Sequence, residues 1–249
     1  VSPAGDVKRV AVFGGDLVDA SAAVAHHGFL LVERDPDAIL CHGGDGTLLR
    51  AEREWPGVSK LPIRVGSRAQ LCSRHDLGGV LSRLAEGQLN QVSLEKLELL
   101  IGRRSFFAMN DVVLRNENPA TAVRFRLLVS GSDSGELTGD GVVFSTPFGS
   151  TGYYRSITGE TIDSGFGVAL NNCTDMRRVF QVGEATRVDV ELLRGPAVIV
   201  YDNDQRAIPM RDGHTFRVQR STHRSLVLGL ESLGCQECRR QDGSAFNPH

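Results

Sequence analysis

The sequence lacks any apolar run near the ~20 residues that a bilayer-spanning helix needs, which excludes an ordinary helical membrane protein. It lacks a charge excess: 28 Lys+Arg against 30 Asp+Glu leave a formal net charge of −2. Such a balance gives no general pull toward nucleic acid or an anionic membrane, so neither is expected as a partner, and an anionic ligand must be held by a local site. Cysteine is scarce, five residues in an odd number without the spacing of a disulfide framework, and a reduced, cytoplasmic setting is expected. The pair Cys235-x-x-Cys238 has no second pair to complete a zinc site and reads as two reduced thiols near the C-terminus. The opening VSPAGDVKRVAVFGG has no signal-peptide anatomy. Also missing is any Gly-Lys-Ser/Thr after a glycine loop, and with it the P-loop, as is the dinucleotide fingerprint of Rossmann domains.

What is present is an ordinary globular composition, 41% hydrophobic and 23% charged over 249 residues, enough for one large or two small domains. The first part alternates strands and helices. VKRVAVFGG (7–15), FLLVE (29–33), AILCH (38–42) and LPIRVG (61–66) read as strands; LVDASAAVAHH (17–27), TLLRAERE (47–54) and LGGVLSRLAEG (77–87) read as helices. This order predicts a parallel, Rossmann-like α/β domain over 1–90. From 91 to 225 the pattern is strands: VSLEKLELLI (92–101), SFFAMNDVVLR (105–115), AVRFRLLVSG (122–131), GVVFST (141–146), VALNN (168–172), TRVDVELL (186–193), AVIVYD (197–202), TFRVQR (215–220) and, just beyond, SLVLGL (225–230). Alternation at Arg124-Phe125-Arg126-Leu127 suits half-buried antiparallel strands, so an all-β, sandwich-like domain is expected to follow.

Two clusters carry chemistry. Gly43-Gly44-Asp45-Gly46-Thr47 lies at the carboxyl end of a strand, where open α/β sheets bind ligands. Glycines admit a bulky ligand to the backbone, and amides at the next helix start can face phosphate. An aspartate among them makes sense if it meets a metal or a substrate hydroxyl, the needs of phosphoryl transfer. Read alone, the motif fits equally a helix capped by Asp45 or Thr47. The second cluster, Gly139 to Glu160, gathers Asp140, Ser145, Thr146, Ser150, Thr151, Tyr153, Ser156 and Thr158. Hydroxyls and amides at this density can wrap ribose, amide and phosphate groups. His42 reads as a strand-end histidine satisfied by backbone, and Arg103-Arg104 and Arg177-Arg178 as solvated pairs.

Together these segments resemble the NAD kinase family. Gly43-Gly44-Asp45-Gly46-Thr47 matches its GGDGT, and Asn110-Asp111 its Asn-Glu/Asp motif. Asp140-Gly141, Ser145-Thr146-Pro147-Phe148-Gly149-Ser150-Thr151-Gly152-Tyr153 and Ser156-Ile157-Thr158-Gly159-Glu160 are similar to its DG–STPTGSTAY–SAGGP signature. The likeness runs over about residues 38 to 230 and is firm at the motifs. GGDGT is shared with lipid kinases; the STP-x-GST loop is more discriminating. The resemblance implies transfer of the γ-phosphate of ATP, or of polyphosphate, to the 2′-hydroxyl of the adenosine ribose of NAD, with Mg²⁺, giving NADP. It implies Asp45 as base and hydroxyl anchor, and Asn110 and Asp111 at the adenosine end. Thr146, Ser150, Thr151 and Tyr153, with Asp140 and Ser145 in the same cluster, would line the dinucleotide site; Gly43, Gly44 and Gly46, beside Thr47, would approach the phosphates. It further implies a homodimer or homotetramer, and a C-terminal segment, 226–249, that returns to the first domain.

Departures from the family are also present. Gly66-Ser67-Arg68-Ala69-Gln70-Leu71-Cys72 lacks the usual asparagine and glycines. Phe148 stands for a threonine, Gly152 for an alanine, and Ile157 and Glu160 alter the last motif. Nothing is carried over to 171–175 or to Tyr201-Asp202-Asn203-Asp204. Two rivals remain: a kinase with a lipid or sugar acceptor, which leaves the STP-x-GST loop unexplained, and a non-catalytic NAD(P)-binding module, which has no need of Asp45.

Overall fold

The structure is a computed structural model and describes residues 2–3, 6–65, 76–174 and 179–230. Arg68 and its neighbours 66–75, Arg177-Arg178, Cys235 and Cys238 lie outside the described residues. The chain divides into two compact units, Val1–Leu94 with Ser225–His249, and Glu95–Arg224. Among the described residues no helix is long and apolar enough to cross a membrane.

The first unit contains β1 (Ser2–Pro3), β2 (Arg9–Gly14), α1 (Leu17–His26), β3 (Leu30–Leu31), β4 (Ala38–His42), α2 (Asp45–Glu54), β5 (Ser59–Ile63) and α3 (Leu77–Ala85). Its sheet runs β3-β2-β4-β5, all parallel, and Val227 adds a last parallel partner at Lys60. Every residue of β4 and β5 is buried, as a strand covered on both faces requires. On one face Val10, Leu40 and Leu61 pack with Ala20 and Val24 of α1 and Val80, Leu81 and Leu84 of α3. Each valine and leucine among them contributes roughly 1.5–3 kcal/mol through burial. The alternate residues point to the other face, where the Phe13 ring meets Trp55 edge-on at 5.1 Å. There α2 buries Leu48, Leu49, Ala51 and Glu52. Glu52 forms an ion pair with Lys60 of β5, both side chains being sequestered from water, and the Lys60 Nζ also donates to the Trp55 carbonyl at 2.5 Å. Cys41 is close enough to feel both charges; burial pushes its thiol up to about 12, so it is inert.

The second unit is a sandwich of two antiparallel sheets. One is built from β6 (Asn90–Ile101), which enters from the first unit, β7 (Arg104–Ala108), β9 (Val123–Val129), β10 (Ser132–Gly139), β14 (Arg187–Arg194) and β17 (Thr215–Leu228). The other has the order β13 (Val179–Val182), β12 (Phe166–Asn171), β11 (Gly141–Ser145), β8 (Asp111–Asn116), β15 (Ala197–Tyr201) and β16 (Ile208–Met210). Phe125, Leu127, Val190 and Phe216 from the first sheet interleave with Leu114, Phe144, Val168 and Ile199 from the second. The outward alternates Val113, Val143 and Ala169 are covered by the short helix α4 (Tyr153–Thr158) through Tyr154. The expected fold class, a parallel α/β part followed by a β-sandwich, is thus borne out.

Several expectations are corrected. Residues 105–115 are two strands in different sheets, β7 and β8, because the backbone at Met109-Asn110 leaves the ladder. Residues 215–220 and 225–230 are one strand, β17, ending at Leu228. The strand at 29–33 shrinks to Leu30-Leu31 at the sheet edge. Polar β10 and the proline-containing edge strand β16 carry too little apolar alternation to be foreseen, and β13 is only four residues long.

The Glu52–Lys60 pair predicts a specific stability pattern. Lys60→Met leaves Glu52 as an uncompensated buried charge and is expected to cost about 3–5 kcal/mol in urea unfolding, while Lys60→Met combined with Glu52→Leu recovers most of the loss.

Candidate active site

In the first unit, β4 ends at His42 and α2 begins at Asp45, with Gly44 as the extended N-cap residue. No side chain caps the helix, so the reading of Asp45 or Thr47 as a mere cap is set aside. The turn is held by backbone: Gly43 N–H donates to the Ile63 carbonyl at 2.9 Å and Gly15 N–H to the His42 carbonyl at 3.0 Å. The His42 ring, Nδ1 2.7 Å from the Gly15 carbonyl, is satisfied by backbone as expected. Gly43 is required by the protein itself, since a Cβ there would lie 2.2 Å from the Thr47 hydroxyl. Gly44 and Gly46 differ: a Cβ on either would meet nothing within 4 Å, and both are exposed. Between them the Asp45 side chain is 70% exposed and lies 3.2 Å from Nη2 of Arg64, at the end of β5. Arg64 was not singled out by the motifs; its neighbourhood to Asp45 appears only when β4 and β5 are paired.

In the second unit, the motif residues meet at one end of the second sheet. Register aligns Ser145 with Asp111 and with Gly167, and Tyr201 with Val112. The segment Met109-Asn110-Asp111 passes between β7 and β8 there, and its polar backbone groups are gripped from two sides. Thr146 Oγ1 donates to the Met109 carbonyl at 2.7 Å, and Thr146 N–H donates to the Asn110 carbonyl at 3.0 Å. The carboxylate of Asp202, at the end of β15, accepts from the N–H groups of Met109 (2.7 Å), Asn110 (2.7 Å) and Asp111 (3.3 Å). Gly149 lets the loop close on this segment, because a Cβ at that position would come within 2.1 Å of the Asn110 carbonyl oxygen. The two motif side chains face each other, Asn110 Nδ2 donating to Asp111 Oδ2 at 3.0 Å.

The loop's hydroxyls divide into two sets. Ser145, Thr146 and Ser150 are buried and spent on backbone: Ser150 Oγ donates to the Pro147 carbonyl at 2.7 Å and accepts from Ile162 N–H at 3.1 Å. Thr151 and Tyr153 are exposed, and the Tyr153 hydroxyl accepts from Asn171 Nδ2 at 2.9 Å. Asp140 accepts from Asn172 at 3.0 Å and from Asn116 at 3.4 Å. Asp202 is the residue that motif reading missed. The run Tyr201-Asp202-Asn203-Asp204 carries no signal of this role, which appears only when β15 pairs with β8.

Burial raises the carboxyl pKa of Asp111 to about 6, opposed by the Asn110 amide. Burial likewise raises Asp202 to about 7; its backbone donors oppose this and the Asp111 charge adds to it.

Residues 109–229 match the family model of the ATP-NAD kinase C-terminal domain. The NAD kinase of Gemmatimonas aurantiaca is 37% identical over 152 residues, 56% of this chain and 52% of that protein. That of Methanopyrus kandleri is 35% identical over 136 residues, 52% of this chain and 49% of its own. The chain thus spans about half the length of the curated relatives it matches. The crystal structure of an NAD kinase from Archaeoglobus fulgidus in complex with ATP aligns with a TM-score of 0.73 at 19% identity, covering 94% of this chain and 96% of that one. Yeast NADH kinase complexed with NADH aligns with a TM-score of 0.76 at 15% identity, covering 98% and 91%. At these identities the structural likeness is one of fold.

The two raised carboxyls set a pH dependence. Both folded values lie above the ordinary carboxylate value near 4, so the stability they contribute is present in full below about 4 and is lost as pH rises through about 6 and about 7. The urea midpoint of the wild type is expected to fall between pH 5 and pH 8, and that of Asp111→Asn to fall less.

Proposed function

We propose that this chain, whose residues 109–229 match the family model of the ATP-NAD kinase C-terminal domain, is a phosphotransferase moving the γ-phosphate of ATP to the 2′-hydroxyl of the adenosine ribose of NAD, giving NADP. The observation that carries this reading is the Asn110–Asp111 pair, joined at 3.0 Å and held at a buried sheet end inside the matched residues. A carboxylate beside an amide offers acceptors and donors to a ribose and to the base above it. The names of the relatives support NAD as the acceptor, and the archaeal complex supports ATP as the donor.

In this reading Asp45 binds the acceptor hydroxyl and takes its proton. Its carboxylate is exposed and is not engaged by its own helix. Arg64, 3.2 Å away, places a cation beside the base, where charge builds on a transferring phosphoryl group. Gly44 and Gly46 leave the first turn of α2 open to phosphate oxygens. Thr151 and Tyr153 contact the dinucleotide, while Gly43, Thr47, Asp140, Ser145, Thr146 and Ser150 form the frame. Among the described residues no three His, Cys, Asp or Glu side chains gather to hold a metal. Mg²⁺ would then be held chiefly by the ATP phosphates with Asp45 as the protein carboxylate nearest the turn, and would shield the charge of the transferred group. A cytoplasmic homodimer or homotetramer belongs to the same proposal, on the strength of the family resemblance.

The test is a coupled assay of NADP formation from NAD, with ATP or polyphosphate as donor. Asp45→Asn is expected to lower turnover by roughly 10²–10⁴-fold with NAD affinity little changed. Equal turnover in both proteins would remove Asp45 from the mechanism, and no NADP from either donor would remove NAD as the acceptor.

A further inference from the structure

The Asn110–Asp111 pair sits where the chain crosses from one sheet of the sandwich to the other, β7 lying in the first and β8 in the second, so the backbone of 109–111 leaves the ladder there. Three consecutive N–H groups of this crossing converge on one carboxylate, that of Asp202, whose side chain has no exposure to water. Asp202 also donates its own N–H to the Asp111 carbonyl at 3.1 Å, so the two segments are tied in both directions. To reach this place the chain turns through two successive left-handed residues, Asp202 at φ 47° and Asn203 at φ 55°, a strain that persists only where the surroundings enforce it.

Resting on the kinase reading above, we infer that Asp202 is a positioning residue for the acceptor. It fixes the 109–111 backbone so that the Asn110 and Asp111 side chains meet the adenosine ribose already oriented. Binding then spends little on ordering these groups, which is the advantage of a preformed site. Asp202 touches no substrate; it acts through Asn110 and Asp111.

Steady-state kinetics of Asp202→Asn test this. The amide keeps the shape and one acceptor but turns a donor toward N–H groups. The KM for NAD is expected to rise about tenfold, the scale of one charge-assisted hydrogen bond, with KM for ATP and kcat within about threefold. Combined with Asn110→Ala, it should raise the NAD KM no further than Asn110→Ala alone. An unchanged NAD KM, an equal loss in the ATP KM, or multiplicative effects in the double variant overturn the inference. Hydrogen exchange on the wild type gives a readout that no folding defect can blur. The amides of Met109, Asn110 and Asp111 should be protected before NAD is added; fast exchange that slows only with NAD overturns it. A wild type that neither binds nor phosphorylates NAD rejects the function and this inference together, and is recognised before any variant is made.

Discussion

Three neighbouring backbone N–H groups, at Met109, Asn110 and Asp111, impose the central constraint on the second unit. Removed from a ladder and buried, each must find an acceptor or cost free energy comparable to a lost hydrogen bond. Asp202 answers all three, which explains why a carboxylate sits in a fully buried position. The carbonyls of the same segment are answered by Thr146. Serving them brings the loop against Asn110, and that approach in turn excludes any side chain at Gly149. Asp202, Thr146 and Gly149 are therefore parts of one requirement, although Asp202 lies far from the other two in sequence.

The first unit meets a different requirement with the same residue type. Asp45 is placed at a helix start by glycines and left in solvent, with the exposed Arg64 beside it. Its precision comes from below: α2 is held to the sheet by Leu48, Leu49 and Ala51, and by the Glu52–Lys60 pair, so the first turn has a fixed base. In the proposed reading Asp45 must reach a substrate, whereas Asp202 must not; exposure separates the two roles more clearly than residue identity does.

Much of this was legible beforehand, for identifiable reasons. The parallel strands of the first unit announce themselves because both faces are covered and the apolar runs are continuous, as in Ala38-Ile39-Leu40. Within the glycine-rich motifs, Gly43 and Gly149 stand where close packing leaves no room for a side chain, a constraint that leaves a mark on sequence. What failed was the strand break at Met109-Asn110, since SFFAMNDVVLR is apolar on both sides and the partner that breaks it lies some ninety residues later. Asp202 was invisible for the same reason: only the pairing of β15 with β8 brings it beneath the motif. The division of the loop hydroxyls into buried and exposed sets was equally hidden, because Ser150 and Thr151 are adjacent and chemically alike.

The departures in the loop find their explanation in α4. The residues from Tyr153 to Thr158, read from sequence as a polar loop, form a helix that stops at Gly159 in the left-handed conformation, a common helix terminator. Ile157 packs with Tyr154 and Ile162 onto Val113, Val143 and Ala169, on the outer face of the sheet. An isoleucine here strengthens the seat of the helix instead of lining a ligand. Glu160 is exposed, and its N–H is taken by the Thr158 hydroxyl at 3.0 Å. Gly152 separates the turn at Gly149–Thr151 from α4 and serves as the N-cap of that helix. The changes at Gly152 and Ile157 thus concern how α4 starts and rests on the sheet, while Thr146 and Gly149, which grip the Asn110-Asp111 segment, are kept.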